Sequence, residues 1–350
     1  MTADRIRIPL ELRCQFRCQR FAVLPALMGK SHEFYFAESR VIITLPNINE
    51  VGDVNSNQPK AVCQAWRPVN GEYVPSNYDI YRVKVKVTSS SAPAIHPDML
   101  NLNINQYDLI DNEEQQVLND LGNSNFDLAV AAYEYWLAVL RWKTGDYQIG
   151  REATVGNALG QTPRLYAVDT EKAVWASTVV INFGASHKTT LDEWEACEVA
   201  LKNNKKVPEH IILLQDGQEN HERLDYRRSL IDIAIACEIY LRFRVLSSMP
   251  ENLLPSVRVA IESMNINQYV TKFFPEILDV EGKSAYKNLN KELASLFDVR
   301  NKIMHMHNNE RATSQQCVRF IDLAKNLFEL DPTISPQNGT PSKFHAQITR

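Results

Sequence analysis

From residue 5 to residue 18 apolar and polar positions alternate without a break. Ile6, Ile8, Leu10, Leu12, Cys14, Phe16 and Cys18 fall on one side, and Arg5, Arg7, Pro9, Glu11, Arg13, Gln15 and Arg17 on the other. A period of two sends successive side chains to opposite faces, so this stretch reads as a half-buried antiparallel strand or bent pair of strands, with Pro9 at an edge or bend. Further strands are expected at 33–36, 40–45, 61–66 and 81–88. In the last, Tyr81, Val83, Val85 and Val87 oppose Arg82, Lys84, Lys86 and Thr88. That basic stripe fits either a solvated face, where lysine also discourages edge pairing, or a row of phosphate contacts. Residues 51–59 and 89–97, rich in Gly, Pro, Ser and Asn, read as loops.

An Ala- and aromatic-rich helix is expected from a cap at Asn123 or Ser124 to about Lys143, with Phe126, Tyr133, Tyr135, Trp136 and Trp142 packing on the sheet and Glu134 facing out. Residues 145–162 read as a loop whose glycines lack a phosphate-binding spacing, and 174–183 as one more strand. Residues 184–190 form a candidate linker, closed by the capping box Thr190-Leu191-Asp192-Glu193. Beyond it the period changes from 2 to 3.6, and helices are expected at 191–203, 209–219, 222–247, 250–264, 266–279, 285–308 and 311–330. The chain therefore reads as α+β: a β-rich N-terminal domain over 1–186, an all-α bundle over 190–330, and a Pro- and Ser-containing disordered tail over 331–350.

Composition narrows the function classes. The 350 residues are 44% hydrophobic and 23% charged, enough core for two domains. Net charge is −4, and the helical part balances 18 Lys and Arg against 21 Asp and Glu, so any nucleic-acid contact must be local. No apolar run is long enough to span a bilayer, the N-terminal residues lack a signal-peptide core, and six cysteines in a chain this long make no disulfide scaffold; the expected compartment is the cytoplasm. Cys14 and Cys18 have the spacing of a ligand pair, but both lie on the apolar side and no second pair follows, so core packing is the stronger reading. No metal or cofactor is expected.

The residues with chemical potential cluster late in the chain, at Arg300-Asn301-Lys302-Ile303-Met304-His305. They end a helix whose apolar stripe is Leu289, Leu293, Leu296 and Ile303. Asn301 and His305 share a face, whereas Arg300 and His305 stand roughly 140° apart around an ideal helix. His titrates near neutrality, and the planar guanidinium matches phosphate oxygens. The bland reading is a solvated helix end, where Arg and His are common because of the helix dipole. Glu238 interrupts an apolar stretch and needs a partner there, either Arg300 or a backbone amide. A structural ion pair is its simpler role and proton transfer the alternative. His210 and His221 fall at expected helix starts and read as surface residues, with His307 near the motif.

Arg-Asn-x-x-x-His late in a helical domain resembles the signature of HEPN domains, a family with many metal-independent ribonucleases. Ala234-Ile235-Ala236-Cys237-Glu238 is similar to the Ala-x-x-x-Glu stretch of bacterial members, and a helix follows the motif as in the family. The resemblance covers about 191–330, and departs from the family at Met306-His307-Asn308, where many members carry small residues. It implies an endoribonuclease acting as a bacterial toxin or antiviral-defence effector, with Arg300, Asn301 and His305 catalytic and Glu238 supporting. The 2′-hydroxyl would attack to leave a 2′,3′-cyclic phosphate. Also implied are a homodimer through the helical domain, an RNA substrate, and an antitoxin or regulatory partner. The alternative is a non-catalytic scaffold for dimerisation or ligand binding.

Overall fold

The computed structural model describes residues 6–7, 10–52, 60–88, 94–95, 112–151, 164–166, 173–176, 187–250, 252–305 and 312–330. It shows an α+β chain, β-rich first and helical afterwards. The chain forms two compact units that divide between Lys206 and Val207. The expected boundary near 186–190 lies earlier, because the helix after the capping box packs with the N-terminal unit.

The alternating N-terminal stretch becomes β1 (Ile6–Arg7) and β2 (Glu11–Val23), with residues 8 and 9 outside the described set. β3 (Ser31–Phe36) and β4 (Ser39–Thr44) form a hairpin, as do β5 (Ala61–Val69) and β6 (Glu72–Thr88). β7 (Ala94–Ile95) pairs with β1, and β8 (Arg164–Tyr166) with β9 (Ala173–Ala176). The rest of the expected strand over 174–183 lies outside the described residues, as does the tail. β10 (Lys188–Thr189) falls inside the expected linker and pairs in parallel with Ala22 and Val23, giving the main sheet the order β10-β2-β6-β4-β3 with β5 also on β6.

One face of this sheet is covered by α1 (Asn112–Thr144) and α2 (Leu191–Lys202). α1 starts well before the expected cap. Residues 112–121 are rich in good helix formers, and Gly122 costs only about 1 kcal/mol in mid-helix, too little to stop the run. From α1, Tyr133 stacks on Phe16 at 4.8 Å and donates its hydroxyl to the Arg17 carbonyl at 2.6 Å. That carbonyl borders the β2 bulge, where register shifts between Arg17 and Phe21 and Arg20 takes φ 51°. Gly150, at φ 76°, sits against Leu137 so closely that a Cβ would clash at 2.7 Å.

His32 of β3 joins three elements. Its ring stacks on Trp194 of α2 at 3.7 Å. Its Nδ1 accepts from Trp136 Nε1 of α1 at 2.9 Å, and its Nε2 meets the Trp194 carbonyl at 3.0 Å. An indole only donates and a carbonyl only accepts, so the ring is neutral with its proton on Nε2. Burial pushes its pKa down to about 4, against the raising effect of the Trp194 bond. Both tryptophans are buried.

The second unit is a helical bundle built on α3 (Glu209–Glu222) and α4 (Tyr226–Ser247). Gly217 lets them close in, since a Cβ there would stand 2.8 Å from Ile233 Cγ1. The expected helix over 250–264 shortens to α5 (Pro255–Glu262), because Pro255 occupies its first turn. The stretch expected as one helix over 266–279 is helical without a gap from Ile266 to Ile277, with a π-helical segment at Tyr269–Phe273 in its middle. α6 (Val280–Met304) starts at its Asp279 cap and α7 (Ser314–Glu329) at its Thr313 capping box. Their apolar faces close on α4 through Tyr286, Leu293, Leu296, Phe297, Phe320 and Leu327. Among the described residues no helix is long and apolar enough to cross a membrane.

A group whose folded pKa is depressed contributes stability that is complete above its unfolded value and drains away as pH falls towards the folded one. For His32 that window runs from about 6.5 to about 4. Asp79, raised to about 6 by burial, and His187, raised first by its hydrogen bond to Glu193, pull the other way in the same unit. The informative comparison is therefore wild type against His32→Phe. All five tryptophans belong to this unit, so their fluorescence reports its unfolding. In urea titrations the stability advantage of wild type should shrink by about 2 kcal/mol between pH 7 and pH 5. A pH-independent gap would show that His32 is not held neutral.

Candidate active site

The Arg-Asn-x-x-x-His motif occupies the last turn of α6 and its cap. Burial of Leu293, Leu296, Phe297 and Ile303 fixes the rotation of this helix and leaves Asn301 and His305 in solvent. Arg300 lies between those faces, with its side chain 24% exposed and turned towards α4. Its Nη2 donates to Glu238 Oε2 at 2.8 Å. Its Nε is buried with no acceptor among the described residues. An incoming anion could not reach this Nε without movement of the side chain, so the donors left for it are those of the guanidinium that the bridge to Glu238 does not use.

Glu238 is the hub. Oε2 takes Arg300, while Oε1 accepts from Arg242 Nε at 3.0 Å, one turn along α4. Arg242 reaches on to the carbonyls of Glu262 and Met264 at 2.8 and 3.2 Å, satisfying the C-terminal end of α5, and lies over the Tyr269 ring at 4.8 Å. Of the two partners offered for Glu238 by sequence, the arginine is realised. The bridge spans α4 and α6 and sets where Arg300 can point.

His305 is the C-cap of α6, with φ −89° and ψ 15°, and its backbone N–H donates to the Asn301 carbonyl at 3.0 Å. Its exposed side chain shares no hydrogen bond with Arg300. Arg227 of α4 places Nη2 3.5 Å from the Ile303 carbonyl, at the same helix end. A single chain therefore supplies an anchored cation, an amide and a solvent-facing imidazole on one helix terminus, with only one imidazole in the motif. His307 lies outside the described residues.

Among the other histidines, His210 corrects the expectation of a surface residue. It is 3% exposed, edge-on to Phe328 at 4.7 Å and Tyr240 at 5.1 Å, and burial lowers its pKa to about 4. The apolar run Ile211 to Leu214 draws its helix start inside. His221 meets Ser314 Oγ at 2.9 Å. Cys18 is buried and Cys14 half-buried, both on the sheet's core-facing side. Among the described residues no group of three or more His, Cys, Asp and Glu converges as a metal site. Sequence reading passes over Arg242 as a partner of Glu238, although its i,i+4 spacing is the signal that finds it.

A scan against protein-family models and comparisons with curated proteins and with solved structures give no match to this chain.

Removing the hub tests this geometry. Glu238→Ala should destabilise the helical unit by about 1–2 kcal/mol, since it strands two arginines at a partly exposed site. Glu238→Gln keeps the shape and an acceptor and should lose less. Chemical denaturation followed by circular dichroism reads both. Equal loss in the two variants would mean that the carboxylate charge contributes nothing.

Proposed function

We propose that the chain is a metal-independent endoribonuclease of the HEPN type, working as a homodimer in the cytoplasm. The observation that carries this reading is the placement of Arg300: a guanidinium anchored by Glu238 at the helix end that presents Asn301 and His305 to solvent. A surface ion pair alone has no use for that combination. The six cysteines are free thiols, in keeping with a reducing compartment.

The chemistry follows from the residue types. RNA brings its own nucleophile, the 2′-hydroxyl. A base takes the 2′-proton as the oxygen attacks the adjacent phosphorus, and an acid protonates the departing 5′-oxygen. The products are a 2′,3′-cyclic phosphate and a 5′-hydroxyl. Arg300 holds charge building on the non-bridging oxygens. Asn301 bonds a phosphate oxygen or fixes the imidazole tautomer. Each motif has one histidine and the reaction needs two proton carriers, so two copies of the chain supply one His305 each. Such an activity suits a toxin or antiviral-defence effector, restrained by an antitoxin or regulatory partner.

One observation favours a second reading. The Arg300–Glu238 bridge is already formed, as a purely structural pair would be, and the helical unit would then be a dimerisation or ligand-binding scaffold.

Purified full-length protein incubated with RNA and chelator decides between them. Arg300→Ala and His305→Ala should each lower cleavage about a hundredfold or more while leaving the protein folded. Arg300→Lys should recover little, because an ammonium lacks the planar fork. Light scattering should give twice the monomer mass. Retained cleavage in both alanine variants, or no cleavage by the wild type, overturns the ribonuclease reading.

A further inference from the structure

The face of the main sheet turned away from α1 is cationic. Phe16 stacks on Tyr133, so the odd-numbered residues of β2 and the even-numbered residues of β6 over 82–88 point the other way. Arg13, Arg17, Arg40, Arg82, Lys84 and Lys86 project there, against the carboxylates of Glu11, Glu33 and Glu50. The excess is positive in a chain whose net charge is −4.

Two features separate this face from an ordinary solvated one. First, its cations outnumber the carboxylates that hold them: Arg13 and Lys86 share Glu11 at 2.7 and 3.6 Å, and Lys60 and Lys84 share Glu50 at 2.8 Å each, so each shared carboxylate leaves one positive charge in excess. Second, this part of β6 is a central strand, flanked by β2 and β4. Protection of an exposed edge therefore does not explain Lys84 and Lys86. At the far side Tyr35, 60% exposed, lies opposite Arg40, an aromatic surface next to a cation.

We propose that this face docks single-stranded RNA through its phosphates, with Tyr35 as a stacking surface for a base. An open, gently pleated face carrying rows of cations suits a flexible strand, and cation rows beside an exposed ring are the two elements that hold single strands. The phosphate docking stands whether or not the helical unit cleaves RNA; the choice of RNA as the strand rests on the reading of Arg300 and His305.

The probe is a fluorescent 2′-O-methyl RNA oligonucleotide of mixed sequence, which has no 2′-hydroxyl to attack and so reports binding alone. It is titrated with full-length protein at several salt concentrations. The combined variant Arg13→Gln, Arg17→Gln, Lys84→Gln and Lys86→Gln should bind roughly tenfold or more weakly. Its slope of log affinity against log salt should fall by about 0.7 for each phosphate no longer neutralised. Arg258→Gln, on α5, should bind as wild type. Arg17→Gln alone, at an exposed position, should weaken binding and leave the urea midpoint unchanged; this separates docking from folding. Undiminished affinity of the combined variant, or salt-independent binding, overturns the proposal. So does tight binding to phosphatidylserine vesicles, abolished in the same variant, without RNA binding.

Discussion

A carboxylate drawn partly out of water on an apolar helix must be matched by cations, and Glu238 takes two of them. Its two oxygens divide the work. One locks Arg242, which carries the bond network on to the end of α5; the other aims Arg300. The apolar packing of α6 on α4 sets the distance between the helices, but it leaves the long side chain of Arg300 many rotamers. The ion pair removes that freedom, so the charged group of the motif is already oriented in the folded chain. The cost of ordering the arginine is met on folding, together with the packing of the two helices.

The N-terminal unit solves a related problem with a neutral group. His32 sits under an indole with both ring nitrogens bonded, so it brings hydrogen-bond specificity into an apolar layer without a charge. Its bonds are directional and its tautomer is dictated by Trp136, and they tie α2 to β3 rather than to the helices that follow. This is why the compact units divide after Lys206 and not at the capping box.

Much of this was legible in the residues. Strict alternation in β2, and the Val–Lys alternation of β6, announce their faces, and the change of period after Thr190 marks where helices take over. The Arg300–Glu238 bridge was readable because a lone carboxylate in an apolar run must find a partner. What the residues did not disclose depends on non-local contacts. Two residues, Lys188 and Thr189, have no pattern long enough to mark a strand; they become one only because β2 offers an open edge. His210 resembles a polar helix start until the rings of Tyr240 and Phe328 close around it. The central position of β6, which changes the meaning of its lysines, is a fact of topology that periodicity does not contain.

The parallel pairing of β10 with β2 also sets a timetable. Ala22 and Lys188 are roughly 165 residues apart, and Trp194 must arrive before His32 has its stacking partner. On a ribosome adding about 5–20 residues per second, the first strand waits on the order of ten to thirty seconds for its last neighbour. Until then the Ala22–Val23 end of β2 lacks its parallel neighbour and the space over His32 is unfilled. Loop-closure entropy makes so distant a pairing slow to form even once the chain is complete. The N-terminal unit is thus completed only once residues 188–194 have been made, just past the midpoint of the 350-residue chain, and chains interrupted before them present an incomplete sheet edge to whatever is nearby.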